Sequence, residues 1–280
     1  MPELPEVETV RRQLEPALVG RRFEGVEILD RRLVRPFEPP EVAAEIEGER
    51  VAAVDRRGKY LILGFESGRV LLVHLRMTGS LRHLPGGALE ADPHRRAVIR
   101  LDDGSHLAYR DVRRFGTWAL VEPGELGPYL AARLGSEPLE RGFTTALLRG
   151  RLEGRRAPVK AALLDQRTLA GMGNIYADEA LWRARIDPLR PAADLDENEL
   201  ERLTKAIKAA LRAGIARQGA TLRDYVRPDG GAGSMQRELK VYGRTGEPCE
   251  RCGAPIQKIR SGGRGTWFCP DCQGDGARRG

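Results

Sequence analysis

The stretch Tyr60-Leu61-Ile62-Leu63-Gly64-Phe65-Glu66-Ser67-Gly68-Arg69-Val70-Leu71-Leu72-Val73-His74-Leu75 carries the first decision about the fold. Two short runs of strand-forming residues, Tyr60–Phe65 and Val70–Leu75, flank the turn signal Glu66-Ser67-Gly68, which predicts paired antiparallel strands. Similar runs follow at Ala97–Leu101, His106–Tyr109 and Trp118–Val121, with Asp102-Asp103-Gly104-Ser105 as a further turn. From about 51 to 121 this spacing predicts an antiparallel sandwich or barrel. Ahead of it, Val7, Val10, Leu14 and Leu18 repeat at helical spacing, with Pro5 in the first turn and Gly20 as the stop. Glu6 and Glu8 sit where the positive end of that helix favours acidic groups.

Beyond about 136 the period changes. Leu200, Leu203, Ile207, Leu211 and Ile215 form one helical stripe, with Asp196 and Glu199 as a capping box and Gly219 as a stop. Val159–Leu164 and Ala177–Trp182 read as shorter helices on either side of Gly171-Met172-Gly173-Asn174. The expected organisation is α+β with boundaries at 1–135, 136–227 and 228–280, the last region opening on Arg227-Pro228-Asp229-Gly230-Gly231 and holding every cysteine.

Composition narrows the function. Of 280 residues, 41% are hydrophobic and 31% charged, and no apolar run is long enough for a membrane span. The first residues carry glutamates rather than an apolar segment, so no secretory signal is expected and the address is cytoplasmic. Net charge is +7, and it is uneven: 1–135 carry 21 basic and 21 acidic residues, 136–225 carry 16 and 13, and 226–280 carry 10 and 6. Arginine outnumbers lysine, which suits bidentate phosphate contacts. A polyanion partner is expected. Aromatics make up 5%, few for a surface that stacks single-stranded bases.

Cys249 and Cys252 stand two residues apart, as do Cys269 and Cys272, with sixteen residues between the pairs. That spacing predicts one structural zinc ion held by four thiolates on a β-hairpin, with no open position for chemistry. Arg251, Lys258, Arg260 and Arg264 suit a phosphate-facing finger, while zinc ribbons also mediate protein contacts. At the other end, removal of Met1 leaves Pro2 as a secondary amine with a pKa near neutrality, able to attack an aldehyde-like carbon at pH 7. The helix that follows lowers that pKa further, and Glu3 is placed to move protons.

Met1-Pro2-Glu3-Leu4-Pro5-Glu6-Val7-Glu8-Thr9-Val10-Arg11-Arg12, Gly58-Lys59-Tyr60-Leu61, His74-Leu75-Arg76-Met77-Thr78-Gly79, Arg113-Arg114-Phe115-Gly116, Leu163-Leu164-Asp165-Gln166, Gly173-Asn174-Ile175-Tyr176-Ala177-Asp178-Glu179 and Val241-Tyr242-Gly243-Arg244 occur in this order. Together with the cysteines they resemble the bacterial formamidopyrimidine-DNA glycosylases over essentially the whole chain. The resemblance implies an N-terminal helix with an antiparallel β-sandwich, then a helix-two-turn-helix domain with a zinc hairpin. It implies a bifunctional base-excision enzyme that removes 8-oxoguanine and formamidopyrimidines from double-stranded DNA and then cuts the strand by β,δ-elimination. By the same resemblance Pro2 is the nucleophile, Glu3 the acid/base partner, Lys59 the proton carrier of β-elimination and Arg264 the residue of the δ step. Because arginine is always protonated, phosphate binding is the sounder description of Arg264.

The resemblance also implies that Met77, Arg113 and Phe115 fill the void left by an extruded base. His94, Arg155 and Asn174 are expected to contact DNA, with Gly171, Gly173 and Lys160 as further contacts and Glu6 as support for the flipped nucleotide. A nucleoid-associated monomer is expected. The chain departs from the family pattern at Arg76, usually glycine, at Val112, usually proline, and through Pro228–Glu238. The competing readings are an endonuclease VIII-like enzyme for oxidised pyrimidines and a non-catalytic zinc protein that binds damaged DNA.

Overall fold

In a computed structural model that describes residues 1–86 and 89–274, Leu4–Leu18 forms helix α1 and buries the whole stripe of Val7, Val10, Leu14 and Leu18. The chain leaves the helix at Gly20, whose φ of +82° suits glycine. Two four-stranded antiparallel sheets follow. In chain order the strands are β1 (Phe23–Ile28), β2 (Val51–Arg57), β3 (Tyr60–Phe65), β4 (Val70–His74), β5 (Ser80–Leu84), β6 (Arg95–Leu101), β7 (His106–Arg110) and β8 (Thr117–Val121), with helix α2 (Pro39–Ile46) after β1 and α3 (Leu126–Ala131) after β8. One sheet runs β1-β6-β7-β5 and the other β2-β3-β4-β8.

The α1 stripe shares one core with Phe23, Leu61, Leu63, Leu71, Val73, Leu81, Ile99 and Tyr109. Val70–His74 is buried at every position because α3 covers its outer face, where Ile62, Val70, Leu72 and Val121 pack against Leu126, Tyr129 and Leu130. That is why the run lacks the alternation of a half-buried strand. Strands β1, β2 and β5 lack the apolar runs that mark their partners, and tertiary pairing supplies what propensity does not.

The second unit is helical: α4 (Thr145–Leu152), α5 (Val159–Leu164), α6 (Asn174–Ala184) and α7 (Glu197–Ala216), then the hairpin β9 (Gln257–Ser261) and β10 (Arg264–Phe268), and α8 (Pro270–Gln273). The capping box expected for α7 forms in both directions, Asp196 N–H to Glu199 Oε2 at 2.9 Å and Glu199 N–H to Asp196 Oδ1 at 2.8 Å. The helix stops at Ala216, ahead of Gly219, because Gln218 already turns left-handed with φ +57°.

The compact units cut the chain elsewhere than at 135/136 and 227/228. One joins 1–132 with 217–236, and the other joins 133–216 with 237 onward. Contacts described below tie 217–236 to the start of α1. In the cysteine region Val241, Cys249, Ile256 and Cys269 form a small cluster that takes in Trp182 of α6.

Candidate active site and metal centre

In the first unit, Pro2 is buried and Glu3 caps α1. The Glu3 N–H donates to Glu6 Oε2 at 2.9 Å, and the Glu3 carboxylate takes the reciprocal N–H of Glu6. Leu4 and Pro5 are buried behind it, so the residue next to the Pro2 nitrogen has a fixed backbone. The second oxygen of Glu6 accepts the Ala220 N–H at 2.8 Å, and Tyr225 packs into the same core. Glu6 is therefore both a helix cap and the anchor of the 217–236 segment. Gly219 makes the approach possible: φ is +83°, and a Cβ there would meet Glu6 Cγ and the Tyr225 ring at 2.8 Å.

Glu8 lies just beyond the first turn of α1 and is held by arginines. Burial disfavours its charge, but the guanidiniums of Arg11, Arg12 and Arg56 prevail and hold the carboxyl at about 2. Its bond to Arg56 at 3.0 Å joins α1 to β2. Lys59 is buried at the turn from β2 to β3, beyond Gly58 with φ +57°, and α1 packs on both of those strands.

Opposite Tyr60 in the β3–β4 register stands His74. Burial, then the positive charges of Arg76 and Lys59, push its pKa down to about 3. It is neutral at pH 7, and because Nδ1 accepts the Arg76 N–H at 3.0 Å, the ring proton belongs on Nε2. Sequence reasoning quoted His74 only within a motif; its burial and positive neighbours mark it as a neutral donor. Arg76 takes φ +52°, the backbone region that favours glycine.

Met77 is 36% exposed and Phe115 51% exposed, unusual values for large apolar side chains, and the Arg113 guanidinium lies 4.7 Å from the Phe115 ring centre. A groove of about 610 Å³ beside them is lined by Met1, Arg32, Arg35, Arg76 and Arg114. Arg114 is held by Asp30 at 2.5 and 2.8 Å. His94 is partly buried, its N–H donating to Asp92 Oδ1 at 2.8 Å.

In the second unit the four cysteine Sγ atoms all lie within 4.8 Å of one another, with Cys249–Cys272 at 3.9 Å and Cys252–Cys269 at 3.4 Å. A tetrahedral site with Zn–S bonds of about 2.3 Å has edges of about 3.8 Å, so the thiols fit one zinc ion. None is in a disulfide. Trp182 Nε1–H points at Cys249 Sγ from 3.5 Å, and Arg251 lies 3.7 Å over the Trp182 ring.

Arg264 is exposed at the start of β10. The next residues are anchored from the helices. Lys160 Nζ donates to the Gly265 carbonyl at 2.8 Å and to Thr266 Oγ1 at 2.9 Å, and it pairs with Asp178 Oδ1 at 2.7 Å. Asp178 Oδ2 accepts the Trp267 N–H at 3.0 Å, and Asn174 Nδ2 donates to Gly265 at 3.0 Å. Lys160 is therefore not the solvated contact its position suggested. With 1% exposure it is an internal strut beneath Arg264.

Glu179, next to Asp178, accepts the N–H groups of Lys240, Val241 and Tyr242 at 2.9 to 3.1 Å. Burial raises its pKa while these backbone donors oppose the rise. The turn before α6 is fixed by Gln166, which accepts the Gly171 N–H at 2.9 Å and donates to the Met172 carbonyl at 2.8 Å. Arg155 pairs with Asp165 at 3.0 Å and is partly exposed. Among the described residues no helix is long and apolar enough to cross a membrane.

Comparison with known proteins gives the same three-part pattern. Residues 1–118 match the formamidopyrimidine-DNA glycosylase N-terminal domain, 134–226 the H2TH domain of the same family, and 246–274 the zinc finger found in FPG and IleRS. The chain is 48% identical over 275 residues to formamidopyrimidine-DNA glycosylase from Symbiobacterium thermophilum, covering 98% of this chain and 89% of that one. It is 47% identical to the Geobacillus kaustophilus enzyme of that name, covering 98% and 100%.

Among solved structures, a Lactococcus lactis FPG mutant in complex with Fapy-dG-containing DNA has a TM-score of 0.91 at 41% identity, covering 97% of this chain and 99% of that one. MutM (FPG) from Thermus thermophilus has a TM-score of 0.87 at 45% identity, covering 97% and 98%. With a proline and a glutamate at the start of the first helix, a four-thiolate zinc site on the last hairpin and relatives matched end to end, the chain belongs to the formamidopyrimidine-DNA glycosylase family.

Proposed function

We propose that this protein is a bifunctional DNA glycosylase and abasic-site lyase that removes oxidised purines from duplex DNA in base excision repair. The observation that carries the reading is the pre-set start of α1, where Pro2 lies beside a Glu3 whose backbone and carboxylate are both fixed by the capping box. With Met1 removed, the Pro2 nitrogen attacks the anomeric carbon of the lesion nucleotide. The glycosidic bond breaks with its electron pair leaving on the base, which takes up a proton. Glu3 protonates the sugar ring oxygen as the ring opens to the iminium.

Lys59, on the strand pair beneath α1, assists proton removal in the β-elimination that cuts the strand. Arg264 holds phosphate during the second elimination. Met77, Arg113 and Phe115, all solvent-exposed, occupy the gap left when the base leaves the stack, and His94, Arg155 and Asn174 border the DNA. The zinc ion holds the hairpin that presents Arg264. This reading places the protein in the bacterial cytoplasm, at the nucleoid, acting as a monomer.

The test is incubation with a duplex containing 8-oxoguanine opposite cytosine in the presence of borohydride. A covalent adduct on Pro2 is expected, and DNA binding without an adduct would leave only a damage-binding protein. Pro2→Gly is expected to retain DNA binding and to impair the iminium chemistry; undiminished base release would remove Pro2 from its role. Faster release of thymine glycol than of 8-oxoguanine would favour the endonuclease VIII-like alternative.

A further inference from the structure

The three exposed residues Met77, Arg113 and Phe115 come from two separate loops, 75–79 between β4 and β5 and 111–116 between β7 and β8. Each loop crosses from one sheet to the other, since β4 and β8 belong to one sheet and β5 and β7 to the other. A crossing of this kind has no ladder hydrogen bonds of its own, so the relative placement of the three side chains needs another source.

That source is Asp111, 1% exposed. Its Oδ1 accepts the hydroxyl of Thr78, the neighbour of Met77, and its Oδ2 accepts the Gly116 N–H, next to Phe115, at 2.8 Å. The Thr78 oxygen in turn accepts the Arg113 N–H at 2.9 Å. Asp111 is itself fixed by its backbone: its N–H donates to the His94 carbonyl at 3.0 Å and its carbonyl accepts Arg96 Nε–H at 3.0 Å. Below it, the Tyr109 hydroxyl fills the space where a Cβ on either Gly79 or Gly116 would collide, so both loops close down onto the same buried spot.

We infer that Asp111 and Thr78 are positioning residues that lock Met77, Arg113 and Phe115 into one rigid probe, and that this rigidity is used to extrude the lesion base. The inference rests on the void-filling reading above. A probe that replaces a base must hold its shape against the stack, and a buried carboxylate with one oxygen on each loop provides that stiffness. The role is separable from the chemistry at Pro2, because strand cutting at an already abasic site has no base to extrude.

The experiment compares two rates for the same preparations: 8-oxoguanine release from a duplex with cytosine opposite, and strand cutting at a preformed abasic site. Asp111→Ala removes both anchors, Thr78→Val removes the hydroxyl at nearly constant volume, and Thr78→Ser keeps it. Asp111→Ala and Thr78→Val are expected to lower the ratio of base release to abasic cutting by about tenfold or more, roughly the worth of one buried charge-assisted hydrogen bond. Thr78→Ser is expected to restore the ratio. If Asp111→Ala does not fold, the Thr78 pair decides alone. Parallel loss of both rates, or a ratio unchanged in Thr78→Val, overturns the inference. A wild-type protein that cuts abasic sites but releases no 8-oxoguanine overturns instead the function on which it rests.

Discussion

At the scale of single residues, the buried imidazole of His74 links a proton equilibrium to stability. Its pKa is about 3 in the folded protein and 6.5 when unfolded, so between these values the unfolded chain binds the extra proton. Stability contributed by the neutral ring is present above pH 6.5 and is lost as the pH falls toward 3. At pH 5 the loss amounts to about 2 kcal/mol. Chemical denaturation at pH 7.5 and pH 5 should show this drop in the wild type and a smaller one in His74→Gln; equal drops would mean that His74 is not the group titrating. Gly219 is a second such residue. Gly219→Ala combines a left-handed φ with a Cβ pressed on Glu6 and Tyr225, and a cost of about 2 to 3 kcal/mol in the same measurement is expected.

At the scale of elements, the zinc hairpin is built onto the helices rather than appended to them. Lys160 of α5 and Asp178 of α6 form an internal ion pair that also takes three groups of β10. Lys160→Met would leave the Asp178 carboxylate buried without its cation, at a cost of about 3 to 5 kcal/mol. The double change Lys160→Met with Asp178→Leu should recover most of that stability. Unfolding curves of the two variants check this, and equal destabilisation would show that the pair's charge is not what matters. The metal acts on the same element, since Cys249, Cys269 and Cys272 pack in one cluster with Trp182 and Val241. Stripping zinc with a chelator is therefore expected to weaken DNA binding through loss of the hairpin. Affinity that survives metal removal would separate the finger from the DNA.

At the scale of the whole molecule, a net charge of +7 predicts DNA affinity that falls steeply with salt. Replacing Arg264 by alanine should weaken binding similarly for all sequences and reduce the slope of log K against log salt by about one. A slope that stays unchanged would mean that Arg264 makes no phosphate contact.

Much of the fold is legible in the chain because its signals are local. The Val7 to Leu18 stripe, the two runs around Glu66-Ser67-Gly68, the Asp196 and Glu199 cap and the two cysteine pairs each describe neighbours within a few residues. The β1 and β5 segments are not legible, because their strand state is set by the non-consecutive partners β6 and β7. The site divides the same way. Pro2, Glu3 and the cysteines stand out by residue type and spacing, whereas Lys59 is singled out only by the family resemblance. Nothing local distinguishes Lys160, a buried strut, from a solvated lysine, nor Asp111 from a turn aspartate.

Four cysteines at zinc-ligand spacing, an N-terminal proline able to form an iminium and the change from β to helical structure are all legible in the sequence alone, since each follows from covalent chemistry or short-range periodicity. Only the tertiary structure decided which unit takes the 217–236 segment, which carboxylates are anchors and which loops share a support. Those outcomes depend on burial and on hydrogen bonds between residues far apart in the chain, such as Glu6 and Ala220, 214 positions apart. A buried polar group must find its partner wherever the fold brings one, and spacing along the chain carries no record of that choice.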